Sequence, residues 1–227
     1  MSACGLCALL LLLGTWQVLV EGALVRRDEE LGAAVRRMAP PEMPAEALSD
    51  LGNLEVALPL LAVAMTLSLL RPGGRRWWPV ACYGAAVVLM VPLVLGLKVW
   101  TDRAGPSGGA GFYPSGHAAT TAAVLGGALL LLSGGLSRIA RRAARALVVI
   151  LVVGNGLGLV WRGYHWPLDV LAGWCLSVLL LCAAFAAARH RGPGDRLPRT
   201  DRIRPHDGRM PADPDPPRTR RTPSAGS

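Results

Sequence analysis

Long apolar runs alternate along this chain with short connections that are polar or rich in arginine. Six runs stand out: roughly Ala3 to Val25, Leu54 to Leu70, Pro79 to Val99, His117 to Leu132, Ala144 to Trp161 and Pro167 to Ala188. Most approach the ~20 residues that an α-helix needs to cross a bilayer, and the fourth is shorter. The pattern predicts an all-α integral membrane protein with six transmembrane helices within residues 1–188. A cleaved signal peptide is the other reading of the first run. That run lacks a basic leading region, and Val20-Glu21-Gly22-Ala23 is a poor cleavage context, so a retained span is expected. Residues 189–227 are rich in Pro, Arg, Asp and Gly and almost free of apolar residues. Such a segment cannot bury enough surface to offset its ordering entropy, which predicts a disordered basic tail. Its arginines either touch anionic head groups or are simply solvated.

The connections alternate in charge, and this sets the orientation. Arg71, Arg75 and Arg76 lie between the second and third runs, and Arg138, Arg141, Arg142 and Arg145 between the fourth and fifth. Arg189 and Arg191 follow the sixth. The positive-inside rule places these three regions and both termini in the cytoplasm of a multi-pass plasma-membrane protein. The arginine-rich, lysine-poor composition suggests a bacterial membrane. The other three connections then face outward. The first, Arg26 to Asn53, mixes four arginines with six acidic residues, and Asp28 to Met38 reads either as a short amphipathic surface helix or as a solvated loop.

Composition agrees with the pattern: 52% of residues are hydrophobic, and the mean hydropathy is +0.39. The net charge of +9 is concentrated in the short loops and the tail, so topology accounts for it and no nucleic-acid partner is expected. All five cysteines fall in apolar runs. Cys4-Gly5-Leu6-Cys7 has redox-motif spacing without the strand–helix context that would support redox chemistry.

The outward connections carry the candidate chemistry. Lys98 is the only lysine among 24 basic residues. It either snorkels from the end of the third run or has a specific task. Asp102 and Arg103 follow, and Arg103 is a candidate for bidentate phosphate contacts, with Asp102 as its possible partner. Pro114-Ser115-Gly116-His117 opens the fourth run. A helix N-terminus there offers free N–H groups to an anion, Gly116 permits close backbone approach, Ser115 adds a donor, and His117 is a candidate acid–base group. An N-cap serine followed by an incidental histidine has the same spelling. His165 and Asp169, four residues apart at the start of the sixth run, can share a face. Asp169 would fix one imidazole nitrogen and leave the other as nucleophile. Otherwise Asp169 only complements the helix dipole. A metal pair would need a third ligand; His190 and His206 lie on the cytoplasmic side, so no metal is expected.

Together these residues resemble the type-two phosphatidic acid phosphatase superfamily, whose core fold is shared with vanadium haloperoxidases. The family pattern is K-x6-R-P, then P-S-G-H, then S-R-x5-H-x3-D. Lys98 and Pro106 match the first motif, Pro114 to His117 match the second, and His165 and Asp169 match the third. The resemblance covers about residues 54–188. It departs at both motif arginines, whose places hold Gly105 and Leu159, and at the serine place, which holds Gly158. Arg103 and Arg162 lie close enough in sequence to be considered as substitutes.

The resemblance implies a metal-independent, cofactor-free lipid phosphatase at the outer membrane face. Lys98, Arg103, Arg162, Ser115 and Gly116 would hold the phosphate. His165, oriented by Asp169, would form a phosphohistidine, and His117 would protonate the leaving group. The expected substrates are a polyprenyl pyrophosphate, phosphatidic acid or phosphatidylglycerol phosphate. A lipid-linked phosphotransferase on the same scaffold and a degenerate non-catalytic binder of lipid phosphate are the alternatives. A transporter would be expected to carry more ionisable residues within its spans. His165→Ala is expected to abolish turnover while leaving membrane insertion intact, as read by phosphate release beside fractionation of the expressed protein.

Overall fold

The computed structural model describes residues 3–39, 41–71 and 77–190. Arg75, Arg76 and the tail beyond His190, for which cytoplasmic placement and disorder are expected, lie outside the described residues. The described part contains eight α-helices: α1 Ala3–Leu19, α2 Ala23–Arg37, α3 Glu42–Ser49, α4 Leu54–Leu70, α5 Trp77–Thr101, α6 Gly116–Leu132, α7 Arg138–Trp161 and α8 Pro167–Arg189. Single 3-10 turns at Asp50–Gly52 and Ser133–Gly135 precede α4 and follow α6. No strand occurs among the described residues.

The apolar runs become helices with two informative differences. The first run does not continue to Val25. It breaks at Glu21, which has a φ of 49°, and Gly22, after which α2 leaves at 95° to α1. The fifth begins earlier than expected, because Ser137 caps it by accepting the Ala140 N–H at 3.2 Å, drawing Arg138 to Arg145 into α7. Helices α5, α7 and α8, and α6 with its trailing 3-10 turn, are each long and apolar enough to cross a membrane. Two bent pairs, α1 with α2 and α3 with α4, bring the number of candidate spans to as many as six.

Helix α6 lies at the centre, and its composition explains why. The stretch from Ala118 to Val124 is Ala and Thr with one Val, all buried, and small side chains let neighbouring backbones come close. A methyl group on Gly173 of α8 would stand 2.6 Å from the Ser115 carbonyl oxygen, so glycine is what permits that approach. One step along α8, the Ser177 hydroxyl donates to the Ala119 carbonyl at 2.8 Å. Around this seam Ala57 and Leu61 of α4, Val87, Met90 and Val94 of α5 and Leu176 of α8 form the main apolar core. Large apolar side chains such as Leu12, Val63, Val88, Val91, Leu147 and Ile150 remain exposed on the outer flanks. That inversion of the soluble pattern suits hydrocarbon as solvent.

The bundle has two distinct ends. At one, Arg71 donates to the Leu132 carbonyl, Trp78 donates to the Ala187 carbonyl, and four arginines crowd the start of α7. At the other lie the C-termini of α5 and α7 and the N-termini of α6 and α8, roofed by α2, α3 and the turn after α3. Helix α3 is pinned to α7 by Asn155, whose Nδ2 donates to the carbonyls of Leu48 and Ser49, both at 3.0 Å. Gly158 lets the α3 backbone approach, since a Cβ there would stand 2.8 Å from the Ala45 carbonyl oxygen.

Asn155→Leu keeps the volume and strands two buried carbonyls. It should destabilise the fold by about 2 kcal/mol or more, read as a lowered unfolding midpoint of the detergent-solubilised protein.

Candidate active site

At the same end of the bundle as α2 and α3 lies an open pocket of about 750 Å³. Lys98, Gly116, His117 and His165 line its polar part, and Leu54, Met90, Val94 and Leu95 line an apolar wall. Three separate sequence segments thus meet at one place, and the local structure shows how each is aimed.

Lys98 sits one turn from the end of α5. Its Nζ donates to the Gly111 carbonyl at 2.6 Å and stands 5.9 Å from the Phe112 ring centre. The loop carrying Gly111 is anchored by Tyr113, which is wholly buried. The Tyr113 phenol meets the Thr15 hydroxyl of α1 at 3.1 Å. Burial pushes that phenol up to about 12, so it stays a neutral structural group. The Tyr113–Pro114 peptide is cis, and Ser115 then caps α6 by accepting the Ala118 N–H at 3.3 Å. The capped helix presents the Gly116 and His117 end to the cavity, where first-turn N–H groups lack helical acceptors.

His117 meets a partner from outside the three motifs. Its Nε2 lies 2.9 Å from Asn53 Oδ1, and Asn53 Nδ2 donates to Asp50 Oδ1 at 2.9 Å. That second bond commits the amide oxygen as acceptor, so His117 carries its fixed proton on Nε2 and gains or loses the other at Nδ1. The turn holding Asn53 comes close because of Gly52, where a Cβ would stand 2.6 Å from the His117 carbonyl oxygen.

His165 follows the tight turn after α7, in which Gly163 takes a φ of 70°. Its Nδ1 faces Asp169 Oδ2 at 3.4 Å, and the Phe112 ring stands edge-on with centroids 5.7 Å apart. Nε2 remains free of protein partners among the described hydrogen bonds. Asp169 is fully buried. Its Oδ2 also accepts the Trp166 N–H at 3.0 Å, so the carboxylate in the first turn of α8 reaches back to the backbone that enters the helix. Its Oδ1 accepts from Arg103 Nη1 at 2.6 Å. The other guanidinium nitrogen, Nη2, donates to Asp28 Oδ2 at 2.7 Å, and Asp28 Oδ1 accepts the Leu168 N–H at 2.7 Å.

The structure therefore sorts the sequence candidates. Lys98, Gly116, His117 and His165 share the cavity, with Asp169 directly behind His165. Three others do not line it. Ser115 is buried as the cap of α6. Arg103, with only 4% of its side chain exposed, has both terminal nitrogens engaged by carboxylates. Arg162 turns toward α3, with its Nε 2.6 Å from Glu46 and its Nη1 3.5 Å from Glu42. Sequence proximity suggested two replacement arginines, but each is held by acidic partners elsewhere. Asp102 is not among the partners of Arg103.

The vacated motif places are filled by apolar groups. A Cβ on Gly105 would meet the Phe112 ring at 2.4 Å, and Leu159 is packed against Ala118, Val160 and Val170. Sequence reading missed Asp28, Asp50, Asn53 and Phe112 at this end of the bundle. One signal existed: Val25, Asp28 and Gly32 are all buried in α2, a carboxylate on the inward stripe of an amphipathic helix. Among the described residues, no group of three or more His, Cys, Asp or Glu is placed to hold a metal.

Comparison with known proteins bears directly on this arrangement. The family model of the PAP2 superfamily matches residues 75–193, a stretch that includes Lys98, the Pro114–His117 turn, His165 and Asp169. The chain belongs to the PAP2 superfamily. A solved transmembrane PAP2 type phosphatidylglycerolphosphate phosphatase from Bacillus subtilis is similar in fold, with a TM-score of 0.69 at 21% sequence identity, covering 84% of this chain and 100% of that one. No curated protein matches. In this PAP2 member Asp28, Asp50 and Asn53 precede the matched stretch, so the N-terminal connection adds groups to the site that the family model does not reach.

Two predictions follow from the packing. Asn53→Leu should slow turnover by roughly 10-fold, part of the 100-fold or more that a positioned acid–base group contributes. Arg162→Ala should leave turnover within about a factor of three of the parent, because an exposed ion pair contributes little. Both are read from initial rates of phosphate release.

Proposed function

We propose that this protein is a membrane phosphatase that removes a phosphate from an amphiphilic lipid through a phosphohistidine, without a metal. The observation that carries the reading is the convergence of Lys98, His117, the α6 N-terminus and the Asp169-backed His165 on one cavity with an apolar wall. PAP2 membership and the fold shared with a phosphatidylglycerolphosphate phosphatase support it.

In the proposed reaction the phosphate sits between Lys98 and the N–H groups at Gly116 and His117, which favour charge on its oxygens. The His165 Nε2 lone pair attacks phosphorus while its Nδ1–H stays hydrogen-bonded to Asp169. The P–O bond to the leaving group breaks, and protonated His117 gives its Nδ1 proton to the departing oxygen. Neutral His117 then takes a proton from water as that water attacks phosphorus. The P–Nε2 bond breaks, releasing inorganic phosphate and restoring His165. Ser115 serves as the cap that sets the α6 N-terminus. Arg103 and Arg162 do not hold the phosphate in this reading.

Charge favours a phosphomonoester over a pyrophosphate. The lining residues include one lysine, Lys98, and one carboxylate, Glu55. Lys98 and a protonated His117 supply two positive charges and Glu55 offsets one of them, which suits a monoester better than a more highly charged anion. A pyrophosphate brings further negative charge into a site whose two motif arginines are replaced by Gly105 and Leu159. Phosphatidic acid and phosphatidylglycerol phosphate are the substrates this reading prefers, with the lipid chain against Met90, Val94 and Leu95. In this reading the site faces the outer side of the membrane, in a six-span topology with both termini in the cytoplasm, and the positive-inside rule applied to the arginine-rich opposite end supports it.

The test is phosphate release by purified protein in detergent with EDTA present. Phosphatidic acid, phosphatidylglycerol phosphate and a polyprenyl pyrophosphate are compared, beside His165→Ala and Lys98→Met. Expected are EDTA-resistant release that is faster from the monoesters, none with His165→Ala, and about a 100-fold loss or more with Lys98→Met. Release that EDTA abolishes, or that survives His165→Ala, would contradict the mechanism. Faster release from the pyrophosphate would contradict the charge argument.

A further inference from the structure

The ion cluster behind His165 contains more charge than orientation of a histidine requires. Asp169 touches His165 on one oxygen and Arg103 on the other. An arginine at 2.6 Å, alone with Asp169 in a buried site, would draw the carboxylate's charge away from the imidazole. A nearby cation disfavours positive charge on a histidine. Arg103 is not alone with Asp169. Asp28 holds its other terminal nitrogen at 2.7 Å, and the side chains of Asp28, Arg103 and Asp169 are only 6%, 4% and 0% exposed. With both carboxylates ionised, the three together carry one net negative charge.

Asp28 is also placed firmly. Its second oxygen accepts the Leu168 N–H in the first turn of α8, where the helix dipole favours an anion. Helix α2 lies over the same turn. A Cβ on Gly32 would meet the Trp166 ring at 2.7 Å, the Arg36 guanidinium stands 4.7 Å from the centre of that ring, and Trp166 Nε1 donates to the Ala104 carbonyl. The helix, the loop after α5 and the start of α8 are thereby joined around one guanidinium.

We infer that Asp28 is a positioning residue for His165, balancing Arg103 so that Asp169 keeps the negative charge that favours a positive imidazole. The inference rests on the reading of His165 as nucleophile, since a phosphorylated imidazole that retains its Nδ1 proton gains positive charge. The charged and titratable groups around His165 are Asp169 from α8 behind it, and Lys98 from α5, His117 from α6 and Glu55 from α4 in the cavity it lines. Arg103 and Asp28 act on it through Asp169. A role as mere glue between α2 and α8 would predict equal harm from breaking the cluster at any point. An electrostatic role predicts opposite signs.

The experiment is a histidine titration by NMR of the full chain in detergent micelles, labelled with nitrogen-15 histidine. The chain has four histidines, and the His165 signal is assigned by its loss in His165→Ala. Asp28→Asn leaves the cluster neutral, and protonation of His165 should move to lower pH by about one pH unit. Arg103→Gln leaves two negative charges, and protonation should move to higher pH. The double variant Asp28→Asn with Arg103→Gln restores one net negative charge, and the titration should return toward that of the parent. The acid limb of the turnover profile should follow in the same directions. A His165 signal that stays put in all folded variants, or moves the same way in Asp28→Asn and Arg103→Gln, overturns the inference whatever the activity. If Asp28→Asn fails to fold, Arg103→Gln and the double variant still decide the sign. Shifts as stated, with no phosphate release by the parent protein, would count against the phosphatase reading alone.

Discussion

Arg103 is the residue on which the geometry of the active end depends. Its guanidinium bonds to carboxylates from two different helices in a buried site. Removing one partner of such a cluster strands an uncompensated charge and costs about 3–5 kcal/mol. The three groups are therefore kept together, and with them the elements that carry them. Helix α2 cannot lift from the start of α8, and the loop after α5 cannot shift, without exposing part of the cluster to an apolar interior. Asp169 is fixed by this constraint, and its second oxygen then fixes the ring of His165.

The opposite wall is held by weaker and more local bonds. His117 is positioned by the N-terminus of α6 and by Asn53, itself held by Asp50. The turn carrying those residues depends on α3, and α3 depends on Asn155 and on the space at Gly158. The two histidines are thus backed from the same stretch between α1 and α4, which precedes the segment matched by the PAP2 family model. The cavity itself is simpler: one lysine, helix N–H groups and apolar side chains, with Gly105 and Leu159 at the motif-arginine places outside its lining. On the proposed mechanism, a site with one lysine relies on the histidines and the helix terminus for the remaining charge stabilisation.

Much of this was legible in the sequence, for physical reasons. Apolar runs near bilayer length leave little choice but helix, since every backbone polar group must be satisfied within the segment. The runs from Leu54, His117 and Pro167 accordingly begin within a residue of their helices. The meeting of Lys98, His117 and His165 followed from counting connections. Distances through space were not legible. Arg103 and Arg162 stand near the vacant motif places in sequence, yet each found a carboxylate first, from α2 and from α3. Asp28 was counted with the solvated charges of a mixed loop. Its place on the inward stripe with Val25 and Gly32 was the available clue. Asn53 looked like the end of a linker, because an N-terminal polar residue before an apolar run is ordinary. The break at Glu21 and Gly22 was hidden by apolar residues that continue past it to Val25.

The central claim is that His165, backed by the Arg103 cluster, becomes covalently phosphorylated. It is tested most directly by rapid acid quench and immediate neutralisation of the protein mixed with phosphatidic acid bearing radiolabelled phosphate, with EDTA present. The account predicts a transient protein-bound label that is stable to base and labile to acid, absent in His165→Ala and longer-lived in His117→Ala. Phosphate release by an active preparation with no such label at any time of quench, or a label that persists in His165→Ala, would contradict it.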